Sequence, residues 1–435
     1  MRRAVFIYTY GCQMNVHDSE KILGLLAEKG YSNADSPEEA DLIVFNTCAI
    51  REKAEQKFFS QLGRTKMLKR KRGDLRIAVT GCVAQEAGEK LLRKAPFVDF
   101  IMGPQNIYRL PEAVSSDRRI DIEENNSGIA LREFSADRQS RLKAWVSIMY
   151  GCDNFCSYCI VPYTRGREVS RPSSSILAEV KDLVARGYKE ITLLGQNVNS
   201  YRSDMGFVDL LQKIDQTDIE RVRFVTSHPR DFSTDLIGAI SELRSLCEHV
   251  HLPLQSGSDR ILRLMNRGYT FSDYKGKVDA MRSKVPGIAI TTDIIAGFPG
   301  ETEKDHADTV KALKEIGFDG IFAFKFSPKK GTKAHEMKNQ LDETVKSIRL
   351  NLILKVQEGI TYRKNKMLEG TVQEILIEGP SETDGEMLVG RTRTNKIVTV
   401  KTSGEGAGSF RQVKIDRARL HSLSGVSIDS KLDRV

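Results

Sequence analysis

Short apolar runs alternate with longer stretches of helical periodicity through residues 1–120. The strand-like runs are Ala4–Thr9, Leu42–Phe45 and Ile77–Thr80, and the helical patterns cover about Asp18–Glu28, Ala49–Lys71 and Gln85–Arg93. Short runs of this kind, separated by helices, predict βαβ units. The predicted fold class is therefore α/β, beginning with a domain built on a parallel sheet.

Six further strand-like runs follow, and each leads directly into polar or glycine-rich residues. They are Ala144–Met149, Glu190–Leu194, Arg223–Thr226, Val250–Leu252, Ile288–Ile295 and Gly320–Phe324. Parallel β/α barrels of eight units carry their chemistry in the loops that follow the strands. Six such units predict a partial (β/α)6 barrel, open enough on one side to admit a large substrate.

The last part of the chain changes character, because its apolar runs are short and separated by turn residues. These runs are Val372–Ile377, Met387–Gly390, Ile397–Val400 and Gln412–Ile415. A small all-β barrel fits this pattern, and small barrels of this kind commonly bind oligonucleotides. Arg391, Arg393 and Lys396 are therefore candidate RNA contacts. The alternative is a solvated β-domain that serves only for packing.

These changes in pattern predict three domains: residues 1–120, 141–365 and 366–430, with a polar linker at 121–140. The 40% hydrophobic and 29% charged residues favour a soluble protein. No apolar run approaches the ~20 residues that span a bilayer, and no signal peptide is recognisable, so we expect a cytoplasmic protein. The net charge of +9 suits a polyanionic partner such as RNA, although many soluble enzymes are mildly basic.

Cys152, Cys156 and Cys159 form a C-x3-C-x2-C motif in the loop after the first barrel strand. Three thiolates so close together can hold three irons of a 4Fe–4S cluster. The fourth iron then stays open for the amino and carboxylate groups of S-adenosylmethionine (SAM), and Tyr158 fits the radical-SAM signature. The alternative, a structural zinc site, needs a fourth ligand, and no fourth Cys or His lies close in sequence.

Three more cysteines each follow a predicted strand of the first domain: Cys12, Cys48 and Cys82. Ligands of open parallel sheets lie beyond the carboxyl ends of the strands, so these thiols should converge. They predict a second, auxiliary 4Fe–4S cluster, also with one open iron. The alternative is that each is a small buried core residue. Cys247 has no comparable context, and we expect it to be structural.

The loops after the other barrel strands supply candidate cofactor contacts. They are Gly195, Gln196, Asn197, Ser227, Gln255 and Asp293, together with Tyr158 of the cysteine loop. Gly195 allows close backbone approach, and the two amides that follow it suit the amino-acid or ribose groups of SAM. His228 precedes a proline, and radical hydrogen abstraction needs no base, so we expect a structural or cofactor-contact role. No catalytic residue beyond the cluster ligands is assigned.

Motifs along nearly the whole chain resemble the radical-SAM methylthiotransferases of the MiaB type. These motifs lie at 11–20, 46–55, 151–171, 195–201, 251–257, 293–302 and 390–395. The resemblance implies a methylthiotransferase domain, a radical-SAM partial barrel and a carboxyl-terminal TRAM barrel, which is OB-like. It also implies that the first three cysteines hold the auxiliary cluster and the C-x3-C-x2-C cysteines hold the SAM cluster. The Ser327–Thr332 loop departs from the usual family pattern.

The activity implied by the resemblance is addition of a methylthio group to C2 of N6-isopentenyl (dimethylallyl) adenosine at position 37 of tRNA. Two SAM molecules are used per turnover, one as methyl donor and one as radical source. An external electron donor of the flavodoxin or ferredoxin type and a sulfur source are also implied. Alternatives are sister enzymes acting on threonylcarbamoyl-adenosine or a ribosomal-protein aspartate, and a non-catalytic iron–sulfur RNA-binding protein.

Overall fold

The computed structural model of the chain describes residues 3–49, 52–114, 120–132, 136–382, 384–401 and 406–428. It contains two α/β domains and a small closed β-barrel, which confirms the predicted fold class. Within the described ranges, no helix combines the length and the apolar character that crossing a bilayer requires.

The first domain is a six-stranded parallel sheet with the order β2-β1-β3-β4-β5-β6. Its strands are β1 Arg3–Thr9, β2 Tyr31–Asn33, β3 Leu42–Thr47, β4 Arg76–Gly81, β5 Phe100–Met102 and β6 Ile120–Asp121. Its helices are α1 Gln13–Ala27, α2 Glu52–Lys71, α3 Cys82–Ala87, α4 Glu89–Lys94, η1 Ile107–Arg109, α5 Leu110–Ala113 and α6 Asn126–Ala130. The three predicted strands are β1, β3 and β4. The helix predicted at Gln85–Arg93 is divided at Gly88, whose φ is +46°.

The central domain contains two three-stranded parallel sheets, β7-β10-β11 and β12-β13-β14. Its strands are β7 Lys143–Ser147, β8 Met149–Tyr150, β9 Val169–Ser170, β10 Glu190–Leu194, β11 Arg221–Phe224, β12 His249–His251, β13 Ala289–Ala296 and β14 Gly320–Lys325. Val222 of β11 links the first sheet to the segment that leads into β12, because its N–H donates to Ser245 O and its carbonyl accepts from Cys247 N. The six strands β7, β10, β11, β12, β13 and β14 thus form one partial barrel, and the buried Cys247 lies at the joint.

Helices alternate with the strands of the central domain, as expected for β/α units. They are α7 Val161–Thr164, α8 Ser173–Ala185, η2 Val198–Ser200, α9 Phe207–Asp215, η3 Pro229–Asp231, α10 Thr234–Glu242, α11 Asp259–Leu264, α12 Phe271–Lys284, α13 Glu303–Ile316, α14 Lys333–Glu336 and α15 Glu343–Lys366. The largest hydrophobic core of the chain lies between these helices and the strands.

The last domain is a closed barrel with the strand order β15-β16-β17-β19-β18. Its strands are β15 Val372–Pro380, β16 Met387–Thr392, β17 Ile397–Lys401, β18 Phe410–Ala418 and β19 Leu423–Ser427. The first four contain the four predicted runs. The sequence pattern missed β19, which closes the barrel by pairing parallel to β17 and antiparallel to β18.

The small barrel covers the amino-terminal end of the partial barrel. Among the described residues, four ion pairs join the two barrels, and in each the residue of the partial barrel lies at or just before the start of a strand. They are Lys143–Glu378 at 2.8 Å, Arg221–Glu374 at 2.9 Å, Glu248–Arg393 at 2.8 Å and Asp319–Lys396 at 3.3 Å. The carboxyl-terminal end of the partial barrel is therefore left to the first domain.

Helix α1 of the first domain packs against that carboxyl-terminal end. Lys21 Nζ donates to Ser147 Oγ and to Tyr150 Oη, both at 2.7 Å. Asp18 forms an ion pair with Arg165 at 2.9 Å, and all five side chains are buried. The first domain and the small barrel therefore lie at opposite ends of the partial barrel.

We predict that Gly425→Ala destabilises the small barrel. A Cβ at this position would collide with the carbonyl oxygen of Lys414 and lie 2.6 Å from Val413 Cγ1. Overpacking of this kind costs about 1–3 kcal/mol. Calorimetric melting of the full chain should show a lower midpoint for G425A, whereas G406A, which meets no atom within 4 Å, should melt close to the wild type. Equal midpoints for the two variants would contradict the prediction.

Candidate functional site

The C-x3-C-x2-C loop leaves the partial barrel after β8 and is held in place by hydrogen bonds from two directions. Cys152 N donates to Gly166 O at 3.1 Å, and Cys159 N donates to Cys156 O at 2.9 Å. Ser157, between the cysteines, donates to Met265 O through its N–H and to Leu264 O through its Oγ. The loop is therefore held by a hydrogen bond between its own residues, by one to Gly166 and by two to the carboxyl-terminal end of α11.

Arg267 is a site residue that the sequence did not predict. Its buried guanidinium donates from Nη1 to Cys156 Sγ and to Tyr158 Oη, each at 3.3 Å, and from Nη2 to Pro253 O at 3.0 Å. Burial and the charge of Cys156 raise the pKa of Cys159 to about 12, so iron binding at this thiol must release a proton.

Several predicted cofactor contacts leave buried polar atoms without a partner within the described ranges. Gln196 Oε1, Ser227 Oγ, Gln255 Oε1 and His228 Nε2 have no hydrogen-bond partner there. All four residues follow the carboxyl ends of barrel strands. Buried polar atoms are normally hydrogen-bonded, so a group of unpaired ones at one edge fits a polar ligand such as SAM. Thr226 adjoins this group, and its φ of +69° is a strained value for a β-branched residue.

Two other predicted contacts, Gly195 and Asn197, have roles within the fold. A Cβ on Gly195 would collide with the side chain of Met149, so glycine is needed there for packing. Asn197 accepts from His228 N at 3.1 Å and donates to Asp231 Oδ2 at 2.7 Å. The structure therefore accounts for both residues without a ligand, and their cofactor contact stays a prediction.

His228 is buried in a cationic environment. Its Nδ1 accepts from Arg230 N at 3.2 Å, which leaves the proton of the neutral ring on Nε2. Burial, followed by the charges of Arg267 and Arg230, lowers the pKa of His228 to about 2. A neutral ring at physiological pH suits a hydrogen-bond donor to a ligand and does not suit a general base.

The three cysteines of the first domain lie together at the carboxyl edge of its sheet. The pairing of Thr47 with Gly81 places Cys48 and Cys82 one residue beyond the same point of neighbouring strands. A Cβ on Gly11 would lie 2.8 Å from Cys48 Cβ, which places the Cys12 turn against Cys48. Cys48 and Cys82 are buried and Cys12 is half-buried. This arrangement is compatible with the predicted convergence, and a shared cluster at these thiols stays a prediction.

In the part of the chain that the structure describes, no three Cys, His, Asp or Glu side chains gather closely enough to bind one metal ion. A structural zinc ion requires its ligands to meet around a single centre. In a cubic cluster, by contrast, each thiolate binds a different iron. The choice between clusters and zinc at the two cysteine triads stays a prediction.

Asp293 lies inside the partial barrel among residues that the sequence did not single out. It approaches His251 Nε2 at 3.5 Å and pairs in register with Phe322 of β14. Phe322 contacts the His251 ring edge-on at 5.7 Å and is 55% exposed, and Phe324 is 43% exposed. The edge strand thus presents two open aromatic rings on the inner face of the barrel.

Arg393 and Lys396 contact the partial barrel, whereas Arg391 pairs within the small barrel. Arg393 donates to both oxygens of Glu248, and Lys396 pairs with Asp319. Arg391 pairs with Glu378 at 3.1 Å. These contacts occupy the three side chains within or beside the domain interface, so the structure gives their predicted RNA contacts no support.

Three family models match the chain in the order of its domains. "Uncharacterized protein family UPF0004" matches residues 4–103, "Radical SAM superfamily" matches 146–313 and "TRAM domain" matches 366–428. The boundaries predicted between these segments stay predictions.

Curated relatives are similar over almost the whole chain. A tRNA-2-methylthio-N(6)-dimethylallyladenosine synthase of Thermodesulfovibrio yellowstonii is 51% identical over 97% of this chain and 98% of its own length. The synthase of Syntrophus aciditrophicus is 48% identical over 98% and 94%. The chain belongs to the tRNA-2-methylthio-N(6)-dimethylallyladenosine synthase family. The predicted family resemblance is thereby confirmed.

Solved structures share the fold of this chain at low sequence identity. The radical SAM methyltransferase TsrM from Kitasatospora setae, with cobalamin and a [4Fe-4S] cluster bound, has a TM-score of 0.58 at 17% identity and covers 77% of each chain. OxsB, a cobalamin-dependent SAM radical enzyme, has a TM-score of 0.53 at 12% identity and covers 83% of this chain and 56% of its own. At these identities the comparison supports the fold alone.

We predict that His228 stays neutral in the folded chain down to pH 5.5. Because the unfolded residue has a pKa of about 6.5, acidification below that value protonates only the unfolded chain, and the free energy of unfolding falls. Between pH 7 and 5.5, the iron-free wild type should lose about 1 kcal/mol more stability than His228→Asn. Denaturant unfolding at the two pH values measures this difference. Equal losses would show that His228 titrates alike in the folded and the unfolded chain, and would contradict the prediction.

Proposed function

We propose that the chain adds a methylthio group to C2 of N6-dimethylallyladenosine at position 37 of tRNA. The observation that carries this proposal is the 51% identity to a named synthase over 97% of the chain. The two separate cysteine triads support it, since insertion of sulfur and methyl at an aromatic carbon needs both a radical source and a held sulfur. When bound, the two clusters and SAM supply the radical, the sulfur and the methyl group.

In this proposal the chain's own residues hold SAM beside the C-x3-C-x2-C loop. Gln196, Ser227 and Gln255 offer oxygens to the amino group and ribose hydroxyls of SAM, and His228 offers an N–H. Arg267 keeps Cys156 and Tyr158 in place from behind the loop. Two SAM molecules per turnover, a flavodoxin or ferredoxin type of electron donor and a sulfur source complete the proposed reaction.

The open side of the partial barrel is the proposed entrance for the target nucleotide. Enzymes that act on a base must take it out of its stack, and single-stranded loops such as the anticodon loop offer unstacked bases. Phe322 and Phe324, on the edge strand, provide exposed aromatic surface for the adenine ring and its apolar dimethylallyl group. The exposed Lys414, Arg417 and Arg419 of the small barrel are available to tRNA phosphates.

We predict that each cysteine triad binds its own cluster. Changing Cys152, Cys156 and Cys159 together to Ala should leave about half the iron and abolish SAM cleavage, because the SAM-binding iron is lost. Changing Cys12, Cys48 and Cys82 should also halve the iron but retain SAM cleavage while abolishing methylthiolation. Iron analysis and product chromatography measure both effects. A full iron complement in either variant would contradict the ligand assignment, and Cys247→Ala is the control that should keep all its iron.

We predict a strong preference for dimethylallylated tRNA that depends on the two exposed rings. The reduced wild type with SAM and sulfide should methylthiolate tRNA carrying dimethylallyladenosine and act weakly on the unmodified transcript. Phe322→Ala combined with Phe324→Ala should raise KM for the dimethylallylated tRNA and reduce the preference about tenfold, as expected when ~1.4 kcal/mol of apolar contact is lost. Leu131→Ala, at a 70% exposed residue of the first domain, is the matched control.

The same assay, with nucleosides identified by mass spectrometry, separates the related activities. Modification of threonylcarbamoyl-adenosine tRNA or of a ribosomal protein in place of the dimethylallylated tRNA would overturn the proposed substrate and leave the methylthiotransferase class standing. If the variant with both Phe322→Ala and Phe324→Ala keeps the preference for dimethylallylated tRNA, only the proposal that these rings line the entrance is contradicted.

A further inference from the structure

A buried ion pair connects the loop of one cysteine triad to the site of the other. Arg165 follows the C-x3-C-x2-C loop at the end of α7, and Asp18 lies in α1 of the first domain. Their side chains meet at 2.9 Å, with Arg165 6% and Asp18 1% exposed. The pair therefore crosses the interface between the two cluster-bearing domains in an environment from which water is excluded.

The backbone of Arg165 is held firmly where it leaves α7. Its N–H donates to Val161 O at 2.8 Å, and its carbonyl accepts from Asn126 Nδ2 at 2.7 Å. Val161 is the second residue after Cys159, so the side chain of Arg165 starts from a fixed point beside the C-x3-C-x2-C loop. The guanidinium then reaches away from that loop into the first domain.

The guanidinium reaches the neighbourhood of Cys12 and Cys82. Cys12 is the N-cap of α1, the helix that carries Asp18, and Cys82 is the first residue of α3, which packs against α7. Burial alone would lower the pKa of Arg165, but the negative charge of Asp18 raises it. The ion pair therefore joins α1, whose N-cap is Cys12, to α7, which packs against the helix that begins with Cys82.

Stability alone does not explain this arrangement. A buried ion pair is often no more stabilising than apolar residues of the same volume, because both charges lose their hydration. Asp18 Oδ1 has no hydrogen-bond partner among the described residues, so the pair is also incompletely satisfied. A guanidinium carries five N–H donors, and an anionic group beside it would use more of them than Asp18 does. Three thiolates and their cluster are such a group.

We propose that Arg165 is a positioning residue of the auxiliary cluster, a cation that the radical-SAM domain supplies to the cysteines of the first domain. This inference rests on the proposed two-cluster function. Net charge and hydrogen bonds to sulfur set the reduction potential of an iron–sulfur cluster. Arg165 therefore makes the auxiliary cluster easier to reduce, and Asp18 holds the cation in place while offsetting part of its effect.

The two members of the pair should shift the auxiliary cluster's potential in opposite directions. Arg165→Gln removes a positive charge and should lower the midpoint potential, whereas Asp18→Asn leaves the cation uncompensated and should raise it. Arg165→Lys keeps the charge and should shift the potential less than Arg165→Gln. We expect at least a tenfold change in the reduction equilibrium for Arg165→Gln, about 59 mV for a one-electron couple.

The measurement is a potentiometric titration followed by electron paramagnetic resonance. It uses the full chain with Cys152, Cys156 and Cys159 changed to Ala, so that only the auxiliary cluster reports. Arg167→Gln is the matched control, because this arginine belongs to the same segment but is 65% exposed and pairs with Asp153. It should leave the midpoint potential unchanged.

Each outcome decides between distinct conclusions. Shifts of opposite sign in Arg165→Gln and Asp18→Asn, with iron content retained, support the inference, since a general loosening of the interface would move both potentials the same way. Shifts of the same sign, no shift, or an equal shift in Arg167→Gln overturn it while leaving the two clusters in place. Absence of any cluster from the background protein overturns the two-cluster proposal and this inference with it.

Discussion

Parallel strand pairing is the constraint that gathers the first-domain cysteines, and the loops that surround the C-x3-C-x2-C motif, at one edge of each sheet. In the first domain and in the partial barrel, neighbouring strands run in one direction, so their carboxyl ends and the loops that follow meet at one edge. Cys12, Cys48 and Cys82 are far apart in sequence and lie together only for this reason. A sheet with one antiparallel strand among the three would send one thiol to the opposite edge.

The same constraint made much of the fold predictable. Strands with a long apolar run were predicted within a few residues, and Glu190–Leu194 has the observed bounds of β10. β19 was missed because its sequence, Leu-Ser-Gly-Val-Ser, has little apolar character of its own. Its pairing with β17 and β18 depends on barrel closure, which is a property of the whole domain. Gly425 allows close packing of β19 against β18 because it has no side chain, and a hydrophobic pattern gives no sign of this.

Site residues could be predicted where their type and their position in the sequence indicate their role. They could not be predicted where the role depends on burial in the folded chain. The cysteines can be recognised in the sequence from their spacing and from their positions directly after predicted strands. Arg267 and Arg165 cannot, because an arginine in a polar segment is indistinguishable in sequence from an exposed one. The positive charge of Arg391, Arg393 and Lys396 suggested RNA, and the sequence could not show their acidic partners. Glu378, Glu248 and Asp319 come within reach of them only in the folded chain.

The contacts between the small barrel and the amino-terminal ends of the barrel strands have a geometric consequence. A strand rises about 3.3 Å per residue, so β13, the longest strand of the partial barrel with eight residues, spans about 23 Å between the two ends of that barrel. If the small barrel binds the tRNA, the strands set a fixed distance between that binding surface and the cysteine sites at the other end of the partial barrel. A nucleotide is then selected first by its distance from the bound part of the tRNA along the side of the partial barrel, and only afterwards by contacts to its base.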